Sequence, residues 1–307
     1  HLDRVHRYLI SLGYDTLVDY PLSVVTNADS EDQSYYTSFT KKITYGAGGV
    51  DDAEDGDIIV HEYGHAILDD QIQGFGTSEE AMAIGEGFGD YLAFSNDPDG
   101  TFNPEIIGDW DAVAYSAADP PYLRRVNEPV RYPQDLVYQE HLDGRIWSHA
   151  LYDIWDFYGK TFADTLVLES HYLLTPSASF FDGAQAVYDT FRRMNGDSGL
   201  DELFDIFDKR GLAAPTLSTS HKVAVAGETV QVPVLDQVLG GGASFRWEQV
   251  SGPAAENRVV SEDRLTFNAP DPPNDTLIAD LLFQLHTERG GQIISTNDFT
   301  THVLSHD

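Results

Sequence analysis

Two histidines and three carboxylates set the chemistry open to this chain. His61 and His65 flank Glu62 in the pentapeptide HEYGH, and on a helix residues four apart share a face, so the two imidazoles converge on one point. That is half of a grip on a divalent ion, zinc by the ligand type. A catalytic zinc takes three protein ligands and keeps a fourth position for water, so another ligand must come from elsewhere. Residues 77–94 are predicted as the next helix, opened by a capping box with Thr77 as N-cap and Glu80 three residues on. Glu86 and Asp90 lie one turn apart on it. Glu86 then completes the ligand set, and Asp90 accepts the spare ring N–H of a ligating histidine and fixes its tautomer. Glu62, between the histidines, is placed as general base on a water at the metal. Singly these features decide nothing, because H-E-x-x-H arises by chance and a lone helical glutamate is usually solvated. Their conjunction carries the reading.

Positioning those side chains takes an α+β arrangement. Leu2, Val5, Leu9 and Leu12 repeat at helical spacing up to Gly13, with His6 beside the apolar face as a packed core histidine. Residues 22–26, 35–39 and 42–45 read as strands, the last two as a hairpin. From 100 to 137 the prolines 104, 120, 121, 129 and 133 break the pattern into a long connection, a kind of segment that is commonly functional, and it is expected to line one side of the cleft. Arg124 and Arg125 within it read as surface ion-pair residues, with a grip on a substrate carbonyl or carboxylate as the alternative. Helical spacing resumes over 141–158, where His141 and His149 are equal candidates for a cation facing a developing oxyanion. Three amphipathic stretches, 163–174, 179–194 and 201–209, complete a helical lobe, with His171 structural. At GLAAPT the composition changes, which sets two domains, 1–212 and 213–307. The second reads as short strands, 223–225, 229–234, 244–250, 264–268, 278–286 and 293–303, at the spacing of a β-sandwich.

HEYGHAI followed by GEGFGDYLA resembles the glutamate-zincin metallopeptidases of the thermolysin and fungalysin type, in particular bacterial fungalysin-like secreted enzymes, over residues 1–212. The resemblance implies a zincin-type catalytic domain that cleaves peptide bonds, with Zn²⁺ on His61, His65 and Glu86, Glu62 as the catalytic glutamate and Asp90 behind a histidine. HLDGRIWSHALYDIW is similar to the H-x-x-G-x-x-W segment whose histidine stabilises the tetrahedral intermediate; this favours His141, with Asp143 orienting it or belonging to the turn. Such enzymes also carry a tyrosine shortly before the glutamate ligand, and GFGTSEEAMAIG has none. Tyr115 or Tyr122 substitutes if the long connection folds back. In the zincin arrangement a strand edge pairs with extended substrate, and residues 45–49 are expected near it or in a plain glycine turn. The N-terminal sheet is small for such enzymes, which implies a shallow, open cleft suited to unfolded or fibrous protein. Calcium is the second expected ion. Asp57, one turn ahead of His61, is either the helix N-cap or, by the resemblance, a calcium carboxylate, and NDPDG brings Asn96, Asp97 and Asp99 around a tight turn. FRWEQVSGP, with Trp247, resembles the PKD-like and immunoglobulin-like modules of secreted bacterial hydrolases, which implies anchorage to substrate or a cell surface.

Composition narrows the rest. The 307 residues include no cysteine, so disulfides, thiolate metal sites and cysteine nucleophiles all drop out. A net charge of −33, from 51 acidic and 18 basic residues, disfavours nucleic acid and anionic membranes as partners. It suits a saline medium or calcium binding. No apolar run is long enough for a membrane span, and a start at His1 rather than Met reads as a mature secreted form without its signal and pro-segment. The expected partner is therefore a protein or peptide substrate. A binding or adhesion protein on a zincin scaffold is the reading from another class; Glu62 argues against it, since metal binding alone needs no carboxylate there. An intracellular hydrolase of small peptides is a further one, and a free-standing β-sandwich fits it poorly.

Overall fold

A computed structural model describes residues 1–28, 32–97, 103–213, 216–217, 221–235, 243–261, 264–273, 276–289 and 291–305. The chain divides into two compact units, His1–Arg210 and Gly211–Asp307. Both helix and sheet are present, as an α+β chain requires. Among the described residues, no helix is long and apolar enough to cross a membrane.

In the first unit, α1 (Leu2–Ser11) buries Val5 and Leu9, and His6, half-buried, meets the Tyr63 hydroxyl at 3.1 Å. A small sheet follows, made of β1 (Ser23–Val25), β2 (Tyr35–Thr37) and β3 (Lys42–Thr44) in the order β1-β3-β2. β2 pairs antiparallel with β3 as a hairpin, and β1 pairs parallel with it. β2 is thus left as an edge strand. Next come α2 (Gly56–Gln71) and α3 (Glu79–Ser95), then a short ribbon of β4 (Ile106–Ile107) with β5 (Arg124–Arg125), and the helices α4 (Glu140–Tyr158), α5 (Lys160–His171), α6 (Phe180–Asn195) and α7 (Leu200–Lys209).

α2 and α3 are buried almost all round, as helices at the centre of a lobe must be. They can be central because they cross at glycines. A Cβ on Gly64 of α2 would stand 3.0 Å from the Gly89 Cα of α3. One on Gly87 would stand 2.4 Å from the Gly144 carbonyl oxygen of α4. The glycines of GEGFGD and HLDGRIW therefore let three backbones meet closely enough for short side chains to share one point. Three residues beyond Gly144, Trp147 is fully buried; its ring stacks on Phe207 at 6.2 Å and lies over Gly183, so α4 is pinned to the helices behind it.

Both helix starts differ from the sequence expectation. Asp55, rather than Asp57, caps α2, accepting from the Asp57 and Ile58 N–H groups. Ser78, rather than Thr77, caps α3 through the Ala81 N–H. The backbone N–H of Thr77 is spent on the Pro176 carbonyl, and the Glu80 carboxylate on the Tyr132 hydroxyl and the Phe180 N–H. Tertiary partners outbid the capping box.

The second unit holds β6 (Thr216–Leu217), β7 (His221–Val225), β8 (Thr229–Leu235), β9 (Ala243–Ser251), β10 (Glu256–Ser261), β11 (Arg264–Asn268), β12 (Ile278–Arg289) and β13 (Gln292–Leu304). They form two four-stranded sheets, β10-β11-β8-β6 and β7-β13-β12-β9. Trp247, Phe267, Phe283, Leu285, Phe299 and Val303, drawn from both sheets, share one core. β10 was not foreseen: every one of its residues is exposed, so it carries no alternating signal.

Candidate active site

The His61 Nε2 lies 3.2 Å from the His65 Nε2 and 3.2 Å from the Glu86 Oε2, and the His65 Nε2 lies 3.4 Å from the Glu86 Oε1. Two donor atoms bound about 2.05 Å from a tetrahedral zinc stand about 3.3 Å apart. The three side chains are therefore spaced as ligands of one such ion, and nitrogen with carboxylate oxygen is a donor set zinc accepts. The His61 Nδ1 meets the Asp90 Oδ1 at 2.9 Å, which directs the Nδ1 proton to that carboxylate and turns Nε2 inward.

Without a metal these groups share protons. Burial pulls His61 down, but Asp90 and Glu86 outweigh it and push it up to about 10, whereas burial carries His65 down to about 4. Glu86 is held well below the usual carboxylate range despite its burial, by the facing histidines. Two facing imidazole nitrogens, one ring drawn toward the charged form and the other toward the neutral, beside a carboxylate make a setting that suits a cation.

The family model described as Fungalysin metallopeptidase (M36) matches residues 45–215, more than half of the chain. The chain belongs to the fungalysin metallopeptidase family. No curated protein matches it.

Beside His61, His65 and Glu86, Glu62 is almost wholly buried, and its Oε2 has no hydrogen-bond partner among the described residues. Burial, only partly offset by His61, pushes its carboxyl up to about 7. An unsatisfied buried carboxylate oxygen is costly and is free to handle a proton. Of the two histidine candidates, only His141 reaches the site: its Nε2 is 3.4 Å from the Glu86 Oε2, its side chain is 46% exposed, and its Nδ1 meets Gln139 at 2.8 Å. His149 is buried elsewhere, against the Glu128 carbonyl and Arg210. Asp143 does not orient His141; it accepts from the Val137 N–H.

Arg124 is the residue the sequence reading misjudged. It is no surface ion-pair partner. Its Nε and Nη2 both donate to Asp90 at 2.7 Å, so it is a buried fork behind the His61–Asp90 pair. Together Arg124 and His61 hold Asp90 down at about 2 against its burial. Only the fold of the β4–β5 ribbon brings Arg124 here, and nothing local in the sequence signals it. Arg125 instead stacks over Tyr122 at 5.6 Å.

Two cavities flank the His61–His65–Glu86 cluster. One, of 380 Å³, is lined by Tyr35 and Tyr36 of β2, by Ser38 just beyond it, and by Phe75 and Met82. The other, of 400 Å³, includes Tyr115, Leu123 and Arg124; His61, Glu62 and His141 line both. The cleft edge is thus β2. Tyr45 is buried, its hydroxyl on the Ile59 carbonyl, and residues 48–50 bend with Gly49 at φ 64°, so of the two expectations for 45–49 the plain glycine turn fits. Tyr115 reaches the second cavity, but its hydroxyl donates to Asp111.

Asp57 and Asp97 line a separate cavity of 270 Å³ with Asp55 and Asp109. Asp57 also accepts from the Gly108 N–H, and burial followed by Asp55 pushes it up to about 7. Asp99 lies outside the described residues. Neither Asp57 nor Asp97 belongs to a compact trio of ligand atoms; among the described residues two such trios occur, His61–His65–Glu86 and Asp32–Asp52–Asp111.

Proposed function

We propose that the protein is a zinc-dependent endopeptidase acting on protein substrates, with His61, His65 and Glu86 as metal ligands. The observation that carries this is the spacing of the three donor atoms, 3.2 to 3.4 Å, in a chain of a metallopeptidase family. A zinc ion held there supplies Lewis acidity to a water and to the scissile carbonyl.

The remaining roles follow from the chain's own groups. Glu62, raised toward neutrality by burial, takes a proton from the attacking water and returns it to the leaving amine. His141 donates to the developing oxyanion from the cleft rim. Arg124 holds Asp90, and through it the His61 ring, while keeping N–H groups to spare for a substrate carbonyl. The outer edge of β2 accepts an extended substrate backbone as an added strand. The resemblance to secreted enzymes extends the reading to an extracellular protease. The acidic cavity of Asp57 and Asp97 is a calcium candidate within the same proposal.

Casein hydrolysis with and without 1,10-phenanthroline tests it. The chelator is expected to abolish cleavage and added zinc to restore it. Glu62→Gln is expected to bind zinc as the wild type does and to lose about 10²–10⁴ in kcat. Unchanged hydrolysis in that variant removes Glu62 as the base, and a wild type that binds zinc but cleaves nothing removes the function.

A further inference from the structure

Asp52 and Asp111 are each 4% exposed, and both present a buried Oδ1 with no hydrogen-bond partner among the described residues. Their other oxygens are satisfied: Ser34 Oγ donates to the Asp52 Oδ2 and the Tyr115 hydroxyl to the Asp111 Oδ2, each at 2.5 Å. Asp32 closes the third side, its Oδ2 against Gly49, where a Cβ would stand 3.0 Å away. Ligand atoms of all three lie within 4.8 Å of one another. Among the described residues no lysine, arginine or histidine forms an ion pair with any of them. Arg124 lines the same cavity, but its fork is committed to Asp90.

We infer that Asp32, Asp52 and Asp111 form a binding site for a hard divalent cation of the calcium class, distinct from the zinc ligands and from the Asp57 cavity. Oxygens about 2.4 Å from a calcium ion lie at most about 4.8 Å apart, a limit this cluster meets. The donors are all oxygen, which selects calcium over softer first-row metals. Three carboxylates brought together with two buried oxygens unpaired need a cation or a shared proton; burial, with Asp52 and Asp32 beside it, pushes Asp111 up to about 6. Each carboxylate comes from a different part of the cleft wall: Asp32 from the approach to β2, Asp52 from the 3₁₀ turn (Asp52–Glu54) before α2, and Asp111 from the 3₁₀ turn (Asp111–Ala114). An ion there ties the substrate-edge strand to the metal-binding helix.

The test does not depend on peptidase activity. Calcium is titrated calorimetrically into the full chain, stripped by chelator and reloaded with zinc. Wild type and Asp57→Asn are expected to share a calcium equivalent that Asp52→Asn and Asp111→Asn lack. Asp32→Asn, at a solvent-exposed position, is expected to bind that equivalent at least tenfold more weakly. Calcium is also expected to raise the melting temperature of the wild type and not of Asp111→Asn. Equal calcium stoichiometry and affinity in wild type, Asp32→Asn and Asp111→Asn overturns the site. So does a wild type that takes up no calcium, in which case the carboxylates share a proton.

Discussion

At Asp90 three demands meet on one carboxylate. It accepts from the Arg124 fork, accepts from the His61 Nδ1, and is only 1% exposed. Such a group can orient an imidazole because it cannot itself move. Asp90→Asn keeps the shape but offers Arg124 a neutral partner and removes the anion that fixes the His61 tautomer. Zinc affinity is expected to fall about 10- to 100-fold, read by competition with a chromogenic chelator. The His61, His65, Glu86 and Asp90 positions were legible in the sequence because helical spacing converts directly into a shared face. Arg124 was not, since a charge in an irregular segment can meet any carboxylate and no periodicity says which.

Among the elements, the glycine crossings hold the ligands together. A Cβ on Gly89 would come within 2.7 Å of the His61 ring, so Gly89→Ala is expected to cost about 1–3 kcal/mol through overpacking. It should also weaken zinc binding while leaving helix content near wild type, which circular dichroism with a zinc titration separates. α5 offers a pH readout. His171 is fully buried, with its Nδ1 on the Gln71 Oε1 at 2.7 Å, its Nε2 without a hydrogen-bond partner among the described residues, and Phe88 edge-on at 4.5 Å. Burial lowers it to about 3. The unfolded chain takes up a proton below about pH 6.5 that the folded chain refuses. This residue therefore removes stability as pH falls from about 6.5 toward 3, by up to about 1.4 kcal/mol per unit. His171→Leu is expected to flatten that part of the urea-unfolding profile relative to wild type. The helices of the first unit were readable from periodicity, the short β4–β5 ribbon was not, and neither were the helix N-caps, because Ser78 and Thr77, or Asp55 and Asp57, are equally good caps until tertiary contacts choose between them.

For the molecule as a whole, the two compact units part between Arg210 and Gly211, and every residue placed near the His61–His65–Glu86 cluster lies in the first. A chain ended after Ala213 is expected to keep zinc and casein hydrolysis; loss of zinc from a folded fragment would make the second unit part of the site. The second unit was legible as strands wherever one face is buried, and illegible at β10, where both faces meet solvent. The small sheet of the first unit has a further consequence. Because β2 ends the order β1-β3-β2 among the described residues, a substrate that docks on its outer edge beside His61, His65 and Glu86, as proposed, would have to be fully stretched. A segment already coiled or paired within a folded protein cannot dock there. Selection by such an enzyme then falls first on local unfolding, with hinges, frayed ends and denatured chains cut ahead of intact domains whatever side chains they carry.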